Sequence, residues 1–149
     1  MEEDLQELLK ESFLLWEKVG SWKEKFNDYS FVVFPAAKAY EGYLKVLFLK
    51  MRFITEEEYY GKHFRIGKAL NPSLPPRLKD ENSVYQKLTD FCKGEDIPKA
   101  MWNAWKVSRN LLFHWFPDEK NQISYVEAGE RLDIILKAMD EAFKGCKIK

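Results

Sequence analysis

The sequence predicts an all-α chain, an up-and-down bundle of about five helices with one long basic loop between the second and third. Three observations carry this. Apolar residues recur three, four and seven apart through most of the chain. Prolines and glycines fall between the periodic stretches, and no stretch alternates apolar and polar residues as a half-buried strand would. With 149 residues, 46% of them apolar, one domain spanning 1–149 can bury a sizeable core.

The first periodic stretch holds Leu5, Leu8, Leu9, Trp16, Val19 and Phe26, with acidic residues crowding its first turns at the positive end of the helix dipole. Asn27-Asp28-Tyr29-Ser30 breaks it. The second helix is expected over about 33–54, with Pro35 in its first turn, where a missing amide hydrogen costs nothing. Ala36, Tyr40, Tyr43, Leu44, Leu47, Met51 and Ile54 form its apolar stripe, while Lys38, Glu41 and Lys45 project elsewhere.

From Thr55 to Arg77 the chain carries Gly61, Gly67, Asn71-Pro72 and Pro75-Pro76 and reads as a long loop with one short helical turn. Long loops within compact domains tend to be functional. A third helix is expected over about 81–93, with Val84, Leu88 and Phe91, stopping at Gly94. The fourth starts near Pro98 and runs through Met101, Trp102, Trp105 and Leu112 to about Phe116, because Pro117 disfavours helical geometry before it. After a connector at 121–124, the fifth covers about 125–143 with Leu132, Ile135, Leu136, Met139 and Phe143.

Charge limits the partners. Twenty-four basic residues balance 24 acidic ones, so the chain is not a globally basic nucleic-acid binder. The balance is uneven: residues 31–79 carry nine basic against four acidic residues, an excess that either meets phosphates or forms a solvated helix face. The surplus of aromatics, 15% of the chain, suggests an exposed apolar face for self-association or another partner. Cys92 and Cys146 make no disulfide framework and are expected as buried reduced thiols. The two histidines lie far apart without clustered carboxylates, so no metal site and no cofactor are expected. The acidic start is unlike a secretory signal, and no apolar run approaches the ~20 residues of a membrane span. A cytoplasmic protein with no membrane partner is the expectation.

The chemically pointed stretch is Arg109-Asn110-Leu111-Leu112-Phe113-His114, at the end of the fourth helix. On an ideal helix Arg109 and His114 project about 140° apart. Asn110 and His114 share a face. The spacing permits a site without demanding one: a histidine capping carbonyls and an arginine in a surface ion pair account for it too. The chemistry is suggestive nonetheless. RNA is cut by its own 2′-hydroxyl when a base, an acid and positive charge surround the phosphate. Histidine transfers protons near neutral pH, and arginine offers a permanently charged fork matching phosphate oxygens. One histidine does not readily serve as base and acid in one concerted step, whereas a twofold dimer supplies two.

These residues resemble the R-x4–6-H motif of the HEPN superfamily, including its frequent polar residue after the arginine. The segment from Phe34 through Pro35-Ala36-Ala37-Lys38-Ala39-Tyr40-Glu41 to Lys45 is similar to the second helix of the RNase LS-type toxin branch, as is Ile123-Ser124-Tyr125-Val126-Glu127-Ala128 before the last helix. The likeness covers roughly residues 31 to 143.

The resemblance implies a helical bundle, a homodimer, and metal-independent RNA cleavage at the dimer cleft by a toxin or defence effector. It gives Arg109 the role of transition-state stabiliser, His114 that of general acid and base, and Asn110 a supporting role. Glu41 is a possible supporting residue, although an ion pair with Lys45 explains it equally well. Lys62, His63, Arg65 and Lys68 in the 55–77 loop are possible RNA contacts, with a solvated loop as the plainer account. Where partnered HEPN toxins continue His-x-Tyr, and that tyrosine accepts a nucleotide, this chain has Phe116. An antitoxin of the nucleotidyltransferase kind is therefore disfavoured. RNase LS-type toxins carry further domains, so the expectation here is the ribonuclease module alone. A non-catalytic HEPN-like dimerisation or binding module is the alternative.

Overall fold

The computed structural model describes residues 1–78, 83–119 and 121–145. Among these, helix is the dominant structure and no strand forms. In chain order the elements are α1 (Glu3–Gly20), α2 (Ser30–Lys50), α3 (Glu56–Tyr60), α4 (Ile66–Ala69), a 3-10 turn (Pro76–Leu78), α5 (Tyr85–Cys92), α6 (Asp96–Trp105), a π-helical turn (Lys106–Asn110) and α7 (Tyr125–Gly145).

The organising element is α2. Val32, Val33, Ala36, Ala39, Tyr40, Leu44 and Phe48 are all buried along it, so it is apolar on several sides and packs between α1 and α7. Removing one such large side chain, as in Phe48→Ala, costs about 3–5 kcal/mol in cores of this kind. The helix starts at Ser30, earlier than the spacing suggests, because Asp28 Oδ1 accepts from both the amide and the hydroxyl of Ser30. Pro35 therefore stands inside the helix rather than in its first turn. Proline in a helix interior removes one rung of the ladder and crowds the carbonyl four residues back. The neighbouring Ala36 amide donates to Ser12 Oγ on α1 at 2.8 Å, which makes Ser12 a buried polar rivet between the two helices.

Other boundaries also differ from the sequence expectation. α1 ends at Gly20, where Ser21 donates from both its amide and its hydroxyl to Lys18 O; Phe26 lies outside it and joins Tyr29 and Phe31 in an edge-packed aromatic cluster. The expected 55–77 loop contains two short helices. Thr55 and Glu58 form a capping box that starts α3, and buried Phe64, Ile66, Ala69 and Leu70 pin α4 to the core. α5 begins at Tyr85; part of the range expected for it, residues 81–82, lies outside the described residues. It ends with Lys93 in the left-handed conformation, φ 55°, while Gly94 N donates to Thr89 O. Cys92 is disulfide-bonded and half-buried at the end of α5 rather than a reduced core thiol; Cys146 lies outside the described residues.

The fourth expected helix changes most. α6 does not run on to Phe116. It widens into a π turn in which Leu111 N donates to Lys106 O, five residues back, and the helix stops at Asn110. Buried Ser108 sits within this turn, its hydroxyl without a hydrogen-bond partner among the described residues. α7 follows expectation closely: Ser124 and Glu127 form a reciprocal cap at its start, and Trp16 of α1 stacks on Tyr125 at 5.0 Å.

Candidate functional site

Arg109 leaves the π turn half-exposed and points to α2. Its Nη2 lies 2.9 Å from Glu41 Oε2, and its guanidinium carbon sits 4.6 Å from the centre of the Trp105 ring. Trp105 is buried, so it provides a fixed floor for the cation. The other Glu41 oxygen, Oε1, lies 3.6 Å from Lys45 Nζ. Glu41 thus pairs with Lys45 along its own helix and with Arg109 across the fold.

Two hollows flank this pair. One, about 290 Å³, is lined by Glu41, Arg65, Ile66, Gly67, Trp105, Arg109 and Asn110. The 55–77 segment reaches it because Phe64 and Ile66 are buried on either side of Arg65, which leaves Arg65 facing out. Gly67 permits the approach: a Cβ there would stand 3.0 Å from Trp105 Nε1. Arg65 Nη1 donates to the carbonyls of Lys62 and Phe64, and no carboxylate pairs with it among the described residues. The second hollow, about 150 Å³, is lined by Phe34, Lys38, Glu41, Arg109 and Phe113. Across both, the cations Lys38, Arg65 and Arg109 face the single carboxylate of Glu41, an arrangement suited to an anion.

His114 lies beyond the helix, exposed. Its ring tilts against Phe116 at 6.1 Å, and its carbonyl accepts from Asn121 Nδ2 at 3.2 Å. It opens on a different hollow, about 210 Å³, with Asp28, Leu112, Phe113, Trp115, Asn121 and Gln122. Asp28 there is committed through Oδ1 to Ser30 and to the Ile123 amide, so it holds the connector rather than the imidazole. Phe113 forms the wall between the Arg109 and His114 hollows. Within one chain, then, the fold gathers Arg109, Asn110, Glu41 and Arg65 and leaves His114 on the adjoining face.

The remaining loop residues stand apart. Lys62, His63 and Lys68 are exposed and do not line the Arg109 hollows. Trp102 is half-buried and packs against the core. Among the described residues, no three His, Cys, Asp or Glu side chains gather closely enough to hold a metal ion, and no helix is long and apolar enough to cross a membrane.

The sequence reading missed Phe34, Lys38 and Phe113 as parts of the site. A signal existed: Phe34, Lys38 and Glu41 are spaced i, i+4 and i+7 and so share one face of α2. Exposed aromatic rings continue from there, with Phe34 54%, Trp115 81% and Phe116 42% exposed. Comparison with family models, with curated proteins and with solved structures found no match.

Proposed function

We propose that the chain is an endoribonuclease of the HEPN type, an up-and-down helical bundle over residues 1–149 that acts as a homodimer. The observation that carries this reading is the setting of Arg109. Its guanidinium is held between Glu41 and the Trp105 ring, at the rim of hollows that also present Arg65, Asn110 and Lys38. A preorganised cation beside additional unspent positive charge is what a phosphodiester passing through a pentacoordinate state requires.

In the proposed reaction the substrate's 2′-oxygen attacks the adjacent phosphorus as its proton passes to a base. The P–O5′ bond breaks as an acid protonates the leaving 5′-oxygen, giving a 2′,3′-cyclic phosphate and a 5′-hydroxyl. Arg109 stabilises the phosphorane, His114 transfers protons, Asn110 supports the site, and Glu41 orients Arg109. The chemistry needs no metal step. Since His114 and Arg109 open on different hollows of one chain, the complete set forms where two copies meet, with the exposed Trp115, Phe116 and Phe34 rings as contact surface. Lys62, His63 and Lys68 then serve as outer contacts to RNA phosphates.

As a toxin or defence effector in the cytoplasm, the protein would be silenced by an antitoxin; Phe116 offers no hydroxyl to a nucleotidyltransferase. The separation of Arg109 from His114 also favours a second reading, a non-catalytic HEPN-like dimerisation or binding module. Incubating the purified chain with single-stranded RNA and EDTA decides between them. Fragments ending in cyclic phosphate or 3′-phosphate support the ribonuclease, and intact RNA supports the module.

A further inference from the structure

A hollow of about 590 Å³ opens between α1, α2 and α7, and it shares no residue with the hollows around Arg109 and His114. Leu9, Val46, Leu47, Leu136, Met139 and Phe143 make most of its wall. Such a volume is typical of a small-ligand site, where an apolar wall carries a few polar groups. Leu136 is 39% and Phe143 64% exposed, so apolar surface is left in water that an occupant would cover.

The polar side chains at this hollow are Tyr43, Asp140 and Lys50, and the Met1 end of the chain also lines it. The Tyr43 hydroxyl donates to Met139 O at 3.1 Å and is satisfied. Asp140 is paired with Lys144 at 2.8 Å. Lys50, the last residue of α2, has no ion pair or hydrogen bond among the described residues. The hollow therefore combines a long apolar wall with unspent positive charge on Lys50.

From this charge accounting we infer that the hollow binds an alkyl carboxylate, its chain along Leu47, Leu136 and Met139 and its carboxylate on Lys50 Nζ. A phosphate monoester fits less well. It carries close to two negative charges and three acceptor oxygens, and so meets more repulsion from the Asp140 carboxylate on the same wall. A neutral alcohol would leave the Lys50 charge unanswered. The inference is independent of the ribonuclease reading.

The test is calorimetric titration of the full chain with laurate, below its micelle concentration, with dodecanol, dodecylamine and dodecyl phosphate as comparison ligands. Laurate should saturate a single site and bind more tightly than the other three. Lys50→Gln should weaken laurate by about tenfold, the scale of one charge-assisted hydrogen bond, while leaving dodecanol unchanged. Leu136→Trp, at a half-exposed position that leaves the fold intact by circular dichroism, should fill the hollow and abolish laurate binding. Equal affinity for laurate and dodecanol, tighter binding of dodecyl phosphate, or no response to Lys50→Gln would overturn the inference. So would a monomer produced by Leu136→Trp from a dimer that laurate does not engage, because the face would then be a contact between copies.

Discussion

Glu41 and Arg109, 68 positions apart in sequence, meet at 2.9 Å across the α2–π-turn contact, with the Trp105 ring beneath the guanidinium. Side-chain exposures of 28% and 40% mark the pair as reachable by solvent, so its contribution to stability is small, about 1 kcal/mol or less. Its value lies in direction. The carboxylate fixes where the planar fork points, and an arginine so held needs little reorganisation to meet a phosphate.

Glu41→Gln keeps the shape and removes the charge. RNA cleavage should fall by about tenfold or more, since the guanidinium loses its aim, while the melting temperature shifts by only a few degrees. Cleavage rates and a thermal melt on the same preparation check this. Unchanged cleavage would return Glu41 to its helix-surface pairing with Lys45.

Arg65→Gln removes a cation that lines the Arg109 hollow without a carboxylate partner. Single-stranded RNA should bind more weakly, with the slope of log affinity against log salt reduced by about one. Titrations at several salt concentrations read this directly. Lys62→Gln, outside the hollow, should change affinity less.

Ser12→Ala removes the hydroxyl that accepts the Ala36 amide beside Pro35. A buried donor left unpaired costs about 1–3 kcal/mol. Chemical denaturation should show a loss of that size with no change in slope.

Tyr43 gives a pH prediction. Burial, with the Asp140 charge adding to it, raises its hydroxyl from the ordinary value near 10 to about 12. Burial likewise raises Tyr40, whose hydroxyl donates to Met101 O at 2.8 Å. Because the folded state holds the protons more tightly than the unfolded chain, this stabilisation is complete below pH 10 and declines as pH rises towards 12. Melting temperature should fall over that window. Tyr43→Phe should flatten the decline.

How much of this was legible follows from where each signal sits. α7 was readable because its apolar spacing and its Ser124–Glu127 cap are both local. α3 carried an equally local signature, Thr55 with Glu58, yet the surrounding glycines and prolines made the stretch look like loop. The π turn left no such mark. Met101, Trp105, Ser108 and Leu112 have ordinary helical spacing, so nothing distinguishes an i→i−5 bond at Lys106 from the usual one. The early start of α2 depends on Asp28 bridging Ser30 and Ile123, the latter 95 positions from Asp28. At the site, Arg109 and Asn110 stood out through their motif. Arg65 joined them only because Phe64, Ile66 and Gly67 dock the segment on Trp105, a packing event that local pattern does not encode.

The most direct test is cleavage of a single-stranded RNA by the wild-type protein and by His114→Ala, with EDTA present and folding matched by circular dichroism. The proposal expects wild-type products ending in 2′,3′-cyclic phosphate or 3′-phosphate, and no cleavage by the variant. Cleavage that survives His114→Ala would contradict it.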